Sequence, residues 1–218
     1  MEILLALPAV LFILYFILRK KDKNKNATNP ILTIDITNIL NEHVEFYQDL
    51  TEEKKKVFES LIERFLQETN IEAVGTTITD LDQVLIASSA VIPTFGFSGW
   101  RYKNLTNVVL YPDTFNEEFQ FEGNERKILG MVGTGYMNGQ MLLSRAALLQ
   151  GFSKNNGKRN TAIHEFVHLL DKTDGATDGV PEVLMKHDYT LPWLKMIHQE
   201  MKQIQKGKSD IDPLCFNQ

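Results

Sequence analysis

Two histidines and a glutamate stand at a spacing that suits metal chemistry. Residues 161–171 contain His164, Glu165 and His168 in the order His-Glu-x-x-His. Side chains four residues apart lie above one another on one face of an α-helix, so the two imidazoles can reach one ion. Glu165 lies beside them and can hold and deprotonate a metal-bound water. The pattern therefore predicts a hydrolytic metal site with His164 and His168 as ligands and Glu165 as the general base.

The remaining residues of this segment predict how the helix is held in place. Ile163, Phe166, Val167 and Leu170 are expected to form a buried apolar face, whereas the three motif residues and Asp171 fall on the other side. Asp171 follows His168 by three residues and is placed to accept a hydrogen bond from a ligand imidazole, which would orient that ring. The alternative is a surface helix that carries two unrelated histidines.

The composition excludes several classes of protein. The 218 residues are enough for one domain with a sizeable core. A net charge of −5 leaves no basic surplus for binding nucleic acid. A single cysteine, Cys215, excludes internal disulfides and a cysteine-rich zinc site. Residues 130–139 carry four glycines but do not join a strand to a helix as a dinucleotide-binding loop does, so no nucleotide site is predicted.

The N-terminus differs in composition from the rest of the chain. An apolar run over residues 3–18 is followed at once by a basic cluster over residues 19–25. The run has about 16 residues, and snorkelling basic side chains could extend it toward the roughly 30 Å of a hydrocarbon core. A cleavable signal would carry its positive charge before the run. We therefore predict a transmembrane anchor over residues 1–20, a linker over residues 21–30 and a domain over residues 31–218.

The positive-inside rule then places the globular domain in the cytoplasm, because the basic cluster follows the apolar run. The alternatives to this membrane-anchored protein are a secretion signal, an N-terminal helix buried in the domain, and a soluble cytoplasmic protein.

Apolar periodicity predicts helices around the motif and strands between them. Helices are predicted to begin near Asp35, Thr51 and Asp80 and to cover the motif and residues 193–205, with strands over residues 106–111 and 140–145. The helix that begins near Asp80 is expected to carry its apolar residues on one side and to be stopped by Pro93 and Gly96. Residues 95–102 are predicted to form an aromatic loop that packs over the core or lines a pocket. A peptide substrate is expected to add to the sheet edge along residues 140–145.

Four segments resemble the zinc-dependent peptidase family of the Mlc titration factor A type. They are NVVLYPDTF at residues 107–115, GQMLLSR at 139–145, NTAIHEFVHLLDKTDGATDGVP at 160–181 and SDIDP at 209–213. The resemblance covers roughly residues 50–213 and leaves out the apolar N-terminus. It implies an α+β, zincin-like metallopeptidase fold, similar to the catalytic domain of the anthrax lethal factor. Such a fold is mostly helical, with a small sheet beside the HExxH helix.

The resemblance also implies a chemistry and partners. His164 and His168 match the family's Zn²⁺ ligands, and Glu165 matches its catalytic glutamate. The implied function is an aminopeptidase-like zinc metallopeptidase that hydrolyses peptide substrates with a zinc-bound water. The founding member of the family also binds a transcriptional repressor. The alternative is therefore a catalytically incomplete binding module of the same fold that contacts a transcriptional regulator.

A third zinc ligand is expected from the family pattern. In the family it is a glutamate on a further helix, at a position that would fall beyond Gln218. We therefore predict that the domain is incomplete at its C-terminus, and we assign none of Glu182, His187, His198 and Glu200 as a substitute ligand.

Overall fold

The structure is a computed structural model, and it describes residues 34–97, 99–123, 126–133, 138–154, 159–172 and 190–206. The chain divides into two units, Met1–Ile34 and Asp35–Gln218, and every element described below belongs to the second unit. The described residues contain seven α-helices and four β-strands. In chain order they are α1 Ile36–His43, α2 Glu45–Gln48, α3 Glu52–Glu68, β1 Asn70–Ala73, α4 Asp80–Thr94, β2 Asn107–Tyr111, β3 Gly130–Val132, β4 Gln140–Ser144, α5 Arg145–Gly151, α6 Thr161–Asp171 and α7 Thr190–Gln205. This mixture of helices with one small sheet agrees with the predicted α+β class.

The four strands form one mixed sheet in the order β1-β2-β4-β3. β1, β2 and β4 run parallel, whereas β3 runs antiparallel to β4, with Gly130 opposite Leu143. Because β4 pairs on both sides, the prediction that a peptide adds along residues 140–145 is wrong. The outer strands of the described sheet are β1 and β3. The observed strand ends at Ser144, one residue before the predicted end at Arg145. Ser144 instead caps α5, because its hydroxyl accepts a hydrogen bond from the Ala147 N–H at 3.2 Å.

Helix α4 lies at the centre of the helical part of the domain. It is capped by Thr79 rather than by Asp80: the Thr79 hydroxyl accepts from the Asp82 N–H at 3.2 Å, and the Asp82 carboxylate accepts from the Thr79 N–H at 2.9 Å. Every residue from 84 to 91 is buried, because α1, α3, α5 and α6 all pack against α4. The prediction of one apolar side is therefore wrong. The helix ends at Thr94, between the two residues Pro93 and Gly96 that were predicted to stop it.

The prediction of a transmembrane helix is corrected. Among the residues that the structure describes, no helix combines the length and the apolar composition needed to cross a membrane. Residues 1–20, on which that prediction depended, and the predicted linker over residues 21–30 lie outside the described part of the chain.

Candidate metal centre

The motif helix α6 begins at a well-defined cap. Asn160 is its N-cap, with extended backbone angles, and the Asn160 Oδ1 atom accepts a hydrogen bond from the Ile163 N–H at 3.0 Å. The helix ends at Asp171, and the Lys172 N–H donates to the His168 carbonyl. This capping fixes where the first turn starts, and therefore sets the direction in which each motif side chain leaves the helix.

The buried face of α6 differs from the predicted one, because Ala162, Phe166, Leu170 and Asp171 are buried and Ile163 is only partly buried. Its centre is Phe166, which is fully buried and packs against Phe65 and Tyr102 with ring centroids 5.7 and 5.2 Å away. Val167, predicted to be buried, is 42% exposed, because it lies about 100° around the helix from Phe166. Asp171 is buried, at 7% exposed, one turn after His168. Its predicted action on a ligand imidazole stays a prediction.

The two motif histidines converge on one point. Their Nε2 atoms are 2.9 Å apart, and the rings meet edge to face with centroids 4.4 Å apart. At this distance one imidazole donates its Nε2–H to the other. Two nitrogens bound about 2.0–2.1 Å from a tetrahedral zinc ion lie roughly 3.3 Å apart, so a small rotation of either ring would fit the ion. The pair therefore suits zinc in its donor chemistry and its spacing.

Burial shifts the proton equilibria of the motif in directions that suit this chemistry. Burial lowers the pKa of His164, and the neighbouring His168 lowers it further, which favours the neutral imidazole that a metal ion requires. Burial raises the pKa of Glu165 to about 7, and the charge of Lys172 opposes part of this rise. A carboxyl group that titrates near neutrality is matched to proton transfer at neutral pH.

Strand β3 packs directly on the motif helix, and a glycine makes the close approach possible. A Cβ atom built on Gly130 would lie 2.9 Å from Glu165 Cγ and 3.2 Å from Leu143 Cδ2 and Thr161 Cγ2. Any side chain at this position would therefore push Glu165 or the strand away. The sequence did not predict this strand, because three residues are too short to show alternation.

The described residues supply two converging nitrogens but not a complete metal site. Among them, no group of three or more His, Cys, Asp or Glu side chains is arranged to hold a metal ion. His198 is exposed on α7, whereas Glu182, His187 and residues 207–218 lie outside the described part of the chain. The predicted third ligand is therefore not located.

Sequence comparison identifies the family. The family described as glucose-regulated metallo-peptidase M90 matches residues 17–216, which include the whole motif helix. The chain belongs to this family. The family is described as one of metallo-peptidases, and the predicted resemblance to it is confirmed.

One relative is known only as an uncharacterized protein of Synechocystis sp.. It is 26% identical over 173 residues, which cover 76% of this chain and 62% of the relative. The chain thus spans about three fifths of the length of the curated relative that it matches.

Proposed function

We propose that the chain is a zinc-dependent metallopeptidase in which His164 and His168 bind the metal and Glu165 is the general base. The observation that carries this proposal is the convergence of the two Nε2 atoms, 2.9 Å apart, beside a partly buried glutamate on the same helix. Membership of a metallopeptidase family supports the same chemistry. We also propose that the metal is zinc and that the enzyme removes N-terminal residues from peptides, because family membership alone gives neither property.

Each residue has a distinct role in the proposed reaction. Zinc, when bound, polarises the scissile carbonyl and makes water a stronger acid. His164 and His168 donate lone pairs as neutral imidazoles. Glu165 takes a proton from the attacking water and passes it to the nitrogen of the leaving amine. Asp171 is proposed as a positioning residue that keeps a ligand imidazole in its productive tautomer.

The substrate is proposed to bind along the outer edge of β3. Backbone hydrogen bonds join Leu129 to Ser144 and Gly133 to Gln140, so the alternation of an antiparallel ladder turns the N–H and C=O groups of Gly130 and Val132 away from β4. An extended peptide can pair with these groups. Because Gly130 packs on Glu165, such a peptide would pass close to the general base.

A zinc and activity assay on matched variants tests this proposal. The zinc-loaded chain should hydrolyse fluorescently labelled casein or an aminoacyl p-nitroanilide. Glu165→Gln should keep its zinc and lose at least about 100-fold in rate, whereas His164→Ala should lose both zinc and activity. Full activity in Glu165→Gln would refute the mechanism. A zinc-loaded wild-type chain without peptidase activity would favour the binding-module alternative.

A further inference from the structure

A cavity of about 310 Å³ lies between α3, α4 and residues 100–106. Its size falls at the lower end of the range of about 300–1,000 Å³ that small-molecule sites occupy. Phe65 and Tyr102 line it and also contact Phe166, which faces away from the histidine pair on α6. The cavity is therefore separate from the candidate metal centre, and the motif helix lies behind one of its walls.

The apolar wall of the cavity is held rigidly. The Tyr102 hydroxyl donates to the Ala90 carbonyl at 2.8 Å, which ties the ring to α4. Trp100 meets Tyr102 edge to face with centroids 4.3 Å apart, and Phe65 meets Tyr102 in the same manner at 6.4 Å. Aromatic faces fixed in this way can receive a flat apolar group without losing side-chain freedom.

The polar part of the lining is strongly cationic. Arg64, Arg101 and Lys103 line the cavity with one carboxylate, Glu68, in a chain whose net charge is −5. Arg101 pairs with Glu68 at 2.7 Å, and one Nη atom of Arg64 donates to the Trp100 carbonyl at 3.3 Å. The Lys103 ammonium group makes no hydrogen bond or ion pair with the described residues. Two positive charges thus remain in excess beside the aromatic wall.

We propose that this cavity is a binding site for a small organic anion with a flat apolar body. The body lies against Trp100 and Tyr102, and its carboxylate or phosphate group is bound by Arg64 and Lys103. An arginine and a lysine are the residues that proteins use for such groups; here Arg64 is partly buried and Lys103 is exposed. The site is independent of peptidase activity, so it can be tested without a substrate.

A pair of matched fluorescent probes tests the proposal on the full chain. The anion 1-anilinonaphthalene-8-sulfonate should bind with one equivalent per chain, and higher ionic strength should weaken it. Lys103→Gln should lower its affinity by about 10-fold, and Arg64→Gln should do the same, because each removes a charged partner. The uncharged analogue N-phenyl-1-naphthylamine should bind equally to all three proteins within about twofold.

Lys56→Gln is the matched control, because Lys56 is exposed on the same helix as Arg64 and does not line the cavity. It should leave the affinity for the sulfonate unchanged. If Arg64→Gln fails to fold, Lys103→Gln still decides the question. Equal affinities in Lys103→Gln and Lys56→Gln, several equivalents of weakly bound probe, or an equal loss for both probes would overturn the proposal.

Discussion

Replacing Gly130 with alanine tests how strand β3 positions the general base. The added Cβ would lie 2.9 Å from Glu165 Cγ, which is closer than carbon atoms in folded proteins approach. It would also lie 3.2 Å from Leu143 Cδ2 and Thr161 Cγ2, so moving Glu165 alone does not relieve the crowding. Either the strand moves outward by several tenths of an ångström, or Glu165 leaves its rotamer.

Both responses have a measurable size. Overpacking of this kind costs about 1–3 kcal/mol, and the alanine returns at most about 1 kcal/mol by restricting the unfolded chain. We therefore expect Gly130→Ala to lower the free energy of unfolding by about 1–2 kcal/mol in urea. If Glu165 acts as proposed, the displacement should also lower kcat by about 10-fold, since a misplacement of about 1 Å costs roughly 100-fold.

Gly96→Ala is the matched control, because a Cβ atom there would meet no atom within 4 Å. It should change the stability by less than about 0.5 kcal/mol. Glu165→Ala provides the second comparison, because it removes the Cγ atom with which the new Cβ collides. In that background the cost of Gly130→Ala should fall by at least about 0.5 kcal/mol. Equal stability of the two glycine variants, or an unchanged cost in the Glu165→Ala background, would refute the reasoning.

Three further predictions concern the proton equilibria, a buried ion pair and the helix cap. In the zinc-free protein, the raised pKa of Glu165 means that its contribution to stability is complete below pH 4.5 and is lost as the pH rises through about 7. Raising the pH from 4.5 to 8 should therefore increase the unfolding free energy of Glu165→Gln in urea by about 1–2 kcal/mol relative to wild type. This is less than the full pKa shift would give, because the group is partly solvated. A difference in unfolding free energy that does not change with pH would contradict this prediction. Arg145 donates to both carboxylate oxygens of Asp82, at 3.0 and 2.7 Å, and Asp82 is 2% exposed. Arg145→Met should therefore lower the unfolding free energy by about 3–5 kcal/mol, because it leaves a buried carboxylate without its partner. A loss below about 1 kcal/mol would show that this ion pair does not stabilise the fold. Asn160→Ala removes the bond to the Ile163 N–H and should cost about 1 kcal/mol in thermal unfolding, whereas Asn160→Asp should be nearly neutral; equal losses would contradict a capping role.

Short sequence patterns predicted many of the helices and strands. Thr51 precedes α3 as its N-cap, and the predicted strand over residues 106–111 corresponds to β2, because each pattern is complete within a few residues of sequence. The motif helix was predicted for the same reason, since its spacing has meaning only on a helix. The family was also predicted, because the segments that resemble it are contiguous.

Features that depend on distant residues could not be predicted. β3 has three residues, and its place at the sheet edge follows from pairing with β4, so no local periodicity marks it. The burial of Ser88 and Ser89 in α4 also depends on the helices packed around it. Their hydroxyl groups donate to the carbonyls of Val84 and Leu85, which allows both serines to be buried. The burial of Asp171 likewise depends on the elements packed around α6.

The most direct measurement is a titration of the chain with Co²⁺, followed by the visible absorption of the bound metal. The wild-type chain should bind one equivalent, and Zn²⁺ should displace it. His164→Ala and His168→Ala should each weaken metal binding by at least about 100-fold. Losing a metal ligand costs more affinity than losing a residue that hydrogen-bonds to the ligand, which itself costs about 10- to 100-fold. Glu165→Gln should bind as the wild type does. Wild-type affinity in either histidine variant would contradict the proposed metal centre.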